Sequence, residues 1–310
     1  MTLKETWQTP NRLGGLRRFA IAITAFNILG HTVFGFEQPW ATPFVAAGTA
    51  YFFEIAFELL DCYIHGHKPR FLGGWRSLVD FLLSAHITGM AVAMLLYSNA
   101  RFMPVVFAAA VAISSKAVFR VTVQEKSRHF LNPSNFGMAT TLLLFPSVGI
   151  AAPYHFTENL SDWGSWILPA IIVCSGSFLN VKFTKRIFVA LGWVTGFFAQ
   201  AVIRHYAFGS SLTGALLPLT GVTLVLFTFY MVTDPATTPC MPRGQFVFGA
   251  SVAAMYGLLV SLHIVFGFFF ALAAVSLVRG ATLYAQNYLK NTAEQGIAAQ
   301  AALVVAREMA

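Results

Sequence analysis

Residues 224–239 read LVLFTFYMVTDPATTP. An apolar run, Leu224 to Val232, stops abruptly at Thr233-Asp234-Pro235, and Ala236, Thr237, Thr238 and Pro239 follow. A plain loop ends a helix with less than this. One charge, two prolines and three threonines form a dense polar knot on a greasy segment, and its meaning depends on the medium around it.

Outward from this stretch the chain is apolar almost throughout. Of 310 residues, 57% are hydrophobic, 15% aromatic and only 10% charged. Soluble domains carry roughly 25% charged residues. The mean hydropathy is +0.67. These values describe an integral membrane protein whose first partner is the lipid bilayer. The net charge of +8 would suit a nucleic-acid binder. However, the basic residues sit in short clusters between apolar runs, as topology signals do, so no nucleic acid is expected. Cys62, Cys174 and Cys240 are far apart, which points to neither zinc nor a disulfide framework. No tight ligand cluster is read elsewhere, and no metal is expected. The polar, basic N-terminus precedes an apolar run without a small-residue cleavage site, so that run is read as a retained helix.

A spanning helix needs about 20 mostly apolar residues. Ten candidates follow: 17–36, 42–63, 77–98, 102–119, 134–152, 164–182, 187–207, 212–232, 245–262 and 264–284, with the last turn placed at Leu262-His263. Of the 20 Lys and Arg, all but Arg101, Arg204 and Lys116 fall on one side of this arrangement. That side carries Lys4 and Arg12 at the N-terminus, Lys126 and Arg128 in the fourth connection, and Lys290 and Arg307 in the tail. The bias puts both termini in the cytoplasm. The expected fold is thus an all-α, polytopic transmembrane helix bundle, multi-pass in the cytoplasmic (inner) membrane, N-in and C-in. Residues 1–16 form a cytoplasmic N-terminus, 17–284 the transmembrane domain, and 285–310 an Ala- and Gln-rich cytoplasmic tail.

The sequence also echoes itself. LLSAHITGMAVAMLLY (82–97) and LLPLTGVTLVLFTFY (216–230) share Leu-Leu, Thr-Gly and a terminal Tyr. SNFGMATTLLLF (134–145) and QFVFGASVAAMY (245–256) share an F-G entry to a later span. The echo implies two five-helix halves, 17–152 and 164–284, inserted in opposite directions. Inverted repeats of this kind place sites where helices are interrupted.

Ionisable groups inside the membrane face a protein interior or a water-filled cavity. Glu54, Glu58 and Asp61 share one face of the second span. With Asp80 and His86 of the third span, Glu54 and Glu58 are candidates for an ion or proton path. The plainer alternative places Glu58 and Asp61 at the interface, paired with basic loops. Lys116 is read as snorkelling to the membrane edge.

Two motifs stand above this background. HFLNPSNFG (129–137) enters the fifth span, and MVTDPATTP (231–239) leaves the eighth on the same side. Asn132-Pro133-Ser134-Asn135 has the residue types of a helix start. Free N–H groups at such an end favour an anionic ligand. Asn132, Ser134, Asn135, Thr233, Asp234, Thr237 and Thr238 are therefore the candidate cofactor-binding residues, with structural capping as the alternative.

These residues carry a resemblance. The N-P-x-x-F-G entry, the T-D-P exit and R-G-x-x-x-F-G-A (Arg243 to Ala250) are similar to a membrane superfamily. That superfamily contains the D subunit of Rnf-type electron transport complexes and the B subunit of the sodium-pumping NADH:quinone reductase. AITAFNILGHTVFGFEQ (22–38), DFLLSAHITGMAVAMLLY (80–97), PYHFTENL (153–160) and LFTFYMVTDPATTP (226–239) more closely resemble the UnbU-type membrane proteins associated with enediyne antibiotic biosynthesis. The resemblance implies ten helices in two inverted halves, and a flavin. The electron-transport subunits attach FMN covalently to Thr in an S-x-A-T motif between spans five and six. Here that connection, PYHFTENLSDWGS (153–165), has Thr157 as its sole Thr and no such motif. Covalent FMN is not expected, and noncovalent FMN or riboflavin is.

Three functions stay open at this point. The first is a redox or accessory subunit linked to secondary-metabolite biosynthesis, with a redox partner or biosynthetic enzymes and no stand-alone catalysis. The second is a transporter or exporter of a small hydrophobic product or ion. The third is a membrane scaffold for biosynthetic enzymes.

Overall fold

The structure, a computed structural model, describes residues 12–123, 126–161 and 163–308. Lys4, counted above, lies outside the described residues, as do the side chains of Arg12, Lys126 and Arg307. Helix α1 (Arg12–Leu29) runs into a π turn, Gly30–Phe34. α2 (Thr42–His65), α3 (Trp75–Leu95) and α4 (Phe102–Val118) follow. A β-hairpin of β2 (Arg120–Val123) and β3 (Lys126–His129) precedes α5 (Pro133–Leu144). The chain continues through α6 (Gly164–Lys182), α7 (Ile187–Phe208), α8 (Leu212–Leu216), α9 (Val222–Leu226), α10 (Pro242–Ser261) and α11 (Gly267–Glu308).

Among the described residues six helices are long and apolar enough to cross a membrane: α2, α3, α6, α7, α10 and the Gly267–Ala293 part of α11. A pair bent by 69°, Leu212–Thr220 with Val222–Met231, makes up to seven. The outer surface is that of a lipid-facing bundle. Phe44, Phe52, Ile203 and Val278 point outward, each more than 60% exposed. The core lies between the helices, where Trp193, Phe197, Phe227 and Phe269 are fully buried.

Small residues let the helices approach, as in lipid where the hydrophobic effect does not press them together. A Cβ on Gly89 of α3 would sit 2.8 Å from the Ala47 Cα of α2. One on Gly137 of α5 would collide with the Ala108 carbonyl of α4. Gly192 of α7 and Gly249 of α10 face each other's helices in the same way, against the carbonyls of Phe246 and Val189.

Several expectations are corrected. The expected span 134–152 is helical only to Leu144. Phe145 precedes Pro146, which disfavours helix at the residue before it. The chain then extends, and β4 (Gly149–Ile150) pairs antiparallel with β1 (Leu96–Tyr97) at the end of α3. The Ala151 N–H donates to the Leu95 carbonyl at 2.9 Å. This short ladder pairs backbone groups that would otherwise lack partners, as non-helical chain buried in a membrane protein requires. The expected span 212–232 is α8, a 3₁₀ turn (Leu217–Thr220), α9 and a π turn (Phe227–Met231), not one helix. The echo also loses its register. Residues 82–95 lie in the unbroken α3, whereas 216–230 are broken at Gly221. Gly137 packs α5 on α4, whereas Gly249 packs α10 on α7. The turn at Leu262-His263 stands where the sequence placed it, and His263 adopts a φ of 60°. No break separates the last span from the tail, because α11 is continuous from Gly267 to Glu308.

Candidate functional site

The two motifs singled out in the sequence meet. The Asn132 side chain caps α5: its Oδ1 accepts from the Asn135 N–H and from the Ser134 hydroxyl, each at 3.0 Å. Its Nδ2 donates to the Met231 carbonyl at 3.1 Å, which joins LNPSNFG to MVTDP directly. Asn135 Nδ2 donates to the Phe269 carbonyl of α11 at 3.0 Å. The π turn explains why carbonyls are available at this point. With the Val232 N–H bonded back five residues to Phe227, the regular ladder is interrupted. The Phe229 carbonyl then accepts from Asn180 Nδ2 of α6 at 2.8 Å and from the Thr233 hydroxyl at 2.6 Å.

Asp234 folds the loop onto itself. Its Oδ1 accepts from the Ala236 N–H at 3.0 Å, and its Oδ2 accepts from the Thr237 hydroxyl at 3.3 Å. The Thr238 hydroxyl donates to the Asp234 carbonyl at 2.6 Å. The seven expected ligand residues lie on two segments joined by the Asn132–Met231 bond, and their side chains are occupied mainly by one another and by backbone carbonyls, with Asn135 Oδ1 buried and unpartnered among the described residues. They build the loop and leave few groups to offer a ligand.

Arginines supply what those residues do not. Arg186, between α6 and α7, is only 2% exposed. Its Nε donates to the Thr238 hydroxyl at 2.9 Å, and its other nitrogens reach the Pro235 carbonyl and Cys240 Sγ. Arg279 of α11 donates to the Thr237 carbonyl at 2.8 Å. Arg128 of β3 completes the group, close enough for its charge to act on Arg186. Burial pushes the Arg186 guanidinium below its ordinary pKa. Cys240 and Asp234 offset part of this, and Arg128 adds to it. Among the described residues no carboxylate lies within 4.0 Å of any of the three. A buried cation that has only neutral acceptors leaves much of its desolvation cost uncompensated. An anion is the missing partner that chemistry asks for.

A cavity of about 20 Å³ lies between Arg128, His129, Thr238, Cys240 and Arg279. That is room for one or two water-sized groups. Beside it, sharing Phe130, an open apolar groove of about 510 Å³ runs past Phe119, Leu277, Tyr284 and Tyr288. The hairpin is held against α11 here, since Asn287 Nδ2 donates to the Thr122 carbonyl at 2.7 Å. Sequence reasoning counted Arg128, Arg186 and Arg279 as topology markers and missed their convergence. The available signal was partial: Arg128 precedes HFLNPSNFG and Arg279 precedes Gly280, whereas Arg186 has no such neighbour.

The candidate path residues are separately paired. Glu54 takes an ion pair from Lys116 at 2.6 Å, and Lys116 also reaches the Ser84 hydroxyl at 3.3 Å. Lys116, in the last turn of α4, thus turns to a carboxylate partner. Glu58, 2% exposed, is held by Arg70 of the following loop. Asp80 pairs with Arg17 at 2.6 Å. His86 lies between the Thr24 hydroxyl at 2.7 Å and the Tyr51 hydroxyl at 2.5 Å. Among the described residues each of the four thus has its own partner.

Comparison with known proteins adds no family: no protein-family model matches this sequence, and no match is found among curated proteins.

Proposed function

We propose that this chain is a multi-pass protein of the cytoplasmic (inner) membrane that holds a noncovalent, phosphorylated flavin and serves as a redox or accessory subunit beside partner enzymes. The observation that carries the reading is the convergence of Arg128, Arg186 and Arg279 on the 234–240 loop without a carboxylate. Arg128, Arg279 and Thr238 line the cavity, and Arg186 adds its charge from behind the Thr238 hydroxyl it donates to; such a set suits a phosphate monoester, for which arginine forks are the preferred protein group. The adjacent groove, with Phe119, Phe130 and Tyr284, offers aromatic faces to a planar ring. The cavity itself admits the anion end only, so the ring system would lie in the groove. When bound, FMN would supply one- and two-electron transfer. The chain's own part would be to neutralise the phosphate and seat the ring at the bundle's basic end.

The membrane arrangement belongs to the same proposal. Ten passages in two inverted halves are supported by paired contacts of similar kind. Asn27 of α1 reaches the Met90 carbonyl of α3 at 3.4 Å, and Asn180 of α6 reaches the Phe229 carbonyl at 2.8 Å. Both join the first passage of a half to the third. The resemblance to electron-transport subunits and to enediyne-associated membrane proteins supports the redox reading over a scaffold, for which the short connections leave little surface.

A second reading rests on the groove alone. It is almost wholly apolar, which also suits an anionic amphiphile carried or exported by the protein. A visible absorption spectrum of protein purified in mild detergent, followed by acid precipitation, separates the two. A flavin band released to the supernatant supports the first reading. A band kept in the pellet contradicts noncovalent binding. A folded sample that binds no added FMN moves the assignment to the amphiphile.

A further inference from the structure

At the end of α2 the sequence reads Asp61-Cys62-Tyr63-Ile64-His65-Gly66-His67. Asp61 and His65 are one helical turn apart and share a face. Gly66 adopts a φ of 70°, a left-handed conformation that ends the helix and turns the chain back. This return brings His67 over the same face. The Asp61 carboxylate lies 3.1 Å from His65 Nδ1 and 2.9 Å from His67 Nε2. One ligand atom from each of the three lies within 4.8 Å of the others.

We propose that Asp61, His65 and His67 form a binding site for a divalent transition ion of the zinc class. Two imidazole nitrogens and one carboxylate oxygen are a zinc donor set, and three protein ligands leave a position for water. A tetrahedral ion about 2.0–2.2 Å from each donor holds its ligand atoms about 3.3–3.5 Å apart, so the two Asp61–imidazole separations of 3.1 and 2.9 Å need open only slightly to admit it.

The surroundings prepare the site. His67 Nδ1 lies 3.3 Å from the Lys68 carbonyl, an acceptor that sets the tautomer and leaves Nε2 for a metal. The returning loop is pinned by the buried Glu58, whose carboxylate accepts from both the Arg70 N–H at 2.7 Å and the Arg70 guanidinium. Cys62 is set apart: its Sγ lies 3.2 Å from His67 Nδ1, the opposite side of the ring from the ligand nitrogen. The sequence reading passed over the cluster because it looked for paired cysteines and treated Asp61 as an interface ion pair. Bound metal would staple the end of α2 to the loop leading into α3.

The test is titration of chelator-treated full-length protein in mild detergent, carrying a purification tag without histidines, with Zn²⁺ by calorimetry. The expected result is one Zn²⁺ per chain, weakened at least about tenfold in Asp61→Asn and in His67→Ala, and unchanged in Cys62→Ser. The three ligand side chains are exposed, so the variants are expected to elute as the unaltered protein does. Equal zinc binding by the unaltered protein and a His65→Ala/His67→Ala variant would overturn the site. So would the absence of stoichiometric binding. Should a variant aggregate, Co²⁺ substitution in the unaltered protein decides. Visible bands of four-coordinate cobalt without a thiolate charge-transfer band are expected. A thiolate band, or no visible bands, would contradict the donor set.

Discussion

Arg186 is buried, yet every hydrogen bond it makes goes to neutral groups. That imbalance is what carries the proposed site. Asp234 has the opposite character, since its carboxylate is occupied by Ala236 and Thr237. Asp234→Asn keeps an acceptor for the Ala236 N–H and is expected to change FMN affinity by less than threefold, an effect worth under about 1 kcal/mol. A loss of all binding in that variant would return the ligand contact to Asp234. His155, in the connection after α5, gives a pH test at the other end. It is 1% exposed, stacked at 4.0 Å on Phe36, and its Nε2 has no partner among the described residues. Burial first, and the facing His31 second, push its pKa down from 6.5 to about 4. Above pH 6.5 folded and unfolded chains are both neutral there, and stability is full. As pH falls from 6.5 toward 4 the unfolded chain takes up a proton that the native one refuses. Stability should drop by about 3 kcal/mol across that window. The Tm in detergent should fall accordingly, and His155→Phe should flatten the profile. An unchanged slope in that variant would show that other groups set it.

Elements succeed or fail in the sequence according to how many physical cues agree. Asn132-Pro133 was legible as a helix start because the cap, the proline and the following apolar face all point one way. The run 145–152 was not, because apolar residues look alike in a helix and in a buried strand; only Pro146 marked the change. The hairpin 120–129 was hidden by its own charges, which read as a connection. Helix contact depends on glycine. Gly249→Ala places a methyl against the Val189 carbonyl and should cost about 1–3 kcal/mol or more by overpacking. Reduced Tm in Gly249→Ala, beside an unaffected control at Gly48, where a Cβ meets nothing, is the expected outcome. Between α2 and α4 the Glu54–Lys116 pair is largely enclosed. Glu54→Gln leaves Lys116 without its counter-charge and should destabilise by about 3 kcal/mol, with much of that loss recovered by Glu54→Gln/Lys116→Met. Failure of the double variant to recover any stability would argue that Glu54 acts through something other than this pair.

For the whole molecule, composition alone disclosed a membrane bundle, and the six long apolar helices agree with it. The number of passages was harder to read. Four of the ten expected spans are broken, short or partly extended, so length no longer separates them from interior segments. The candidate loop was legible as a place, because its polar density stands out from apolar surroundings. Its chemistry was not, since Arg128, Arg186 and Arg279 come from three distant segments. Sidedness has its own test in a cysteine-free background. Single cysteines at Ser127 and Tyr288 should label from the cytoplasmic side, and one at Glu158 from the opposite side. Labelling of all three from one side would remove the ten-passage arrangement. The most direct measurement compares FMN with riboflavin on purified protein by equilibrium dialysis, with Arg186→Gln beside it. FMN should bind at least about tenfold more tightly than riboflavin, and Arg186→Gln should erase the difference. Equal binding of both flavins, unmoved by Arg186→Gln, or no binding of either, would contradict a phosphate held by the arginines.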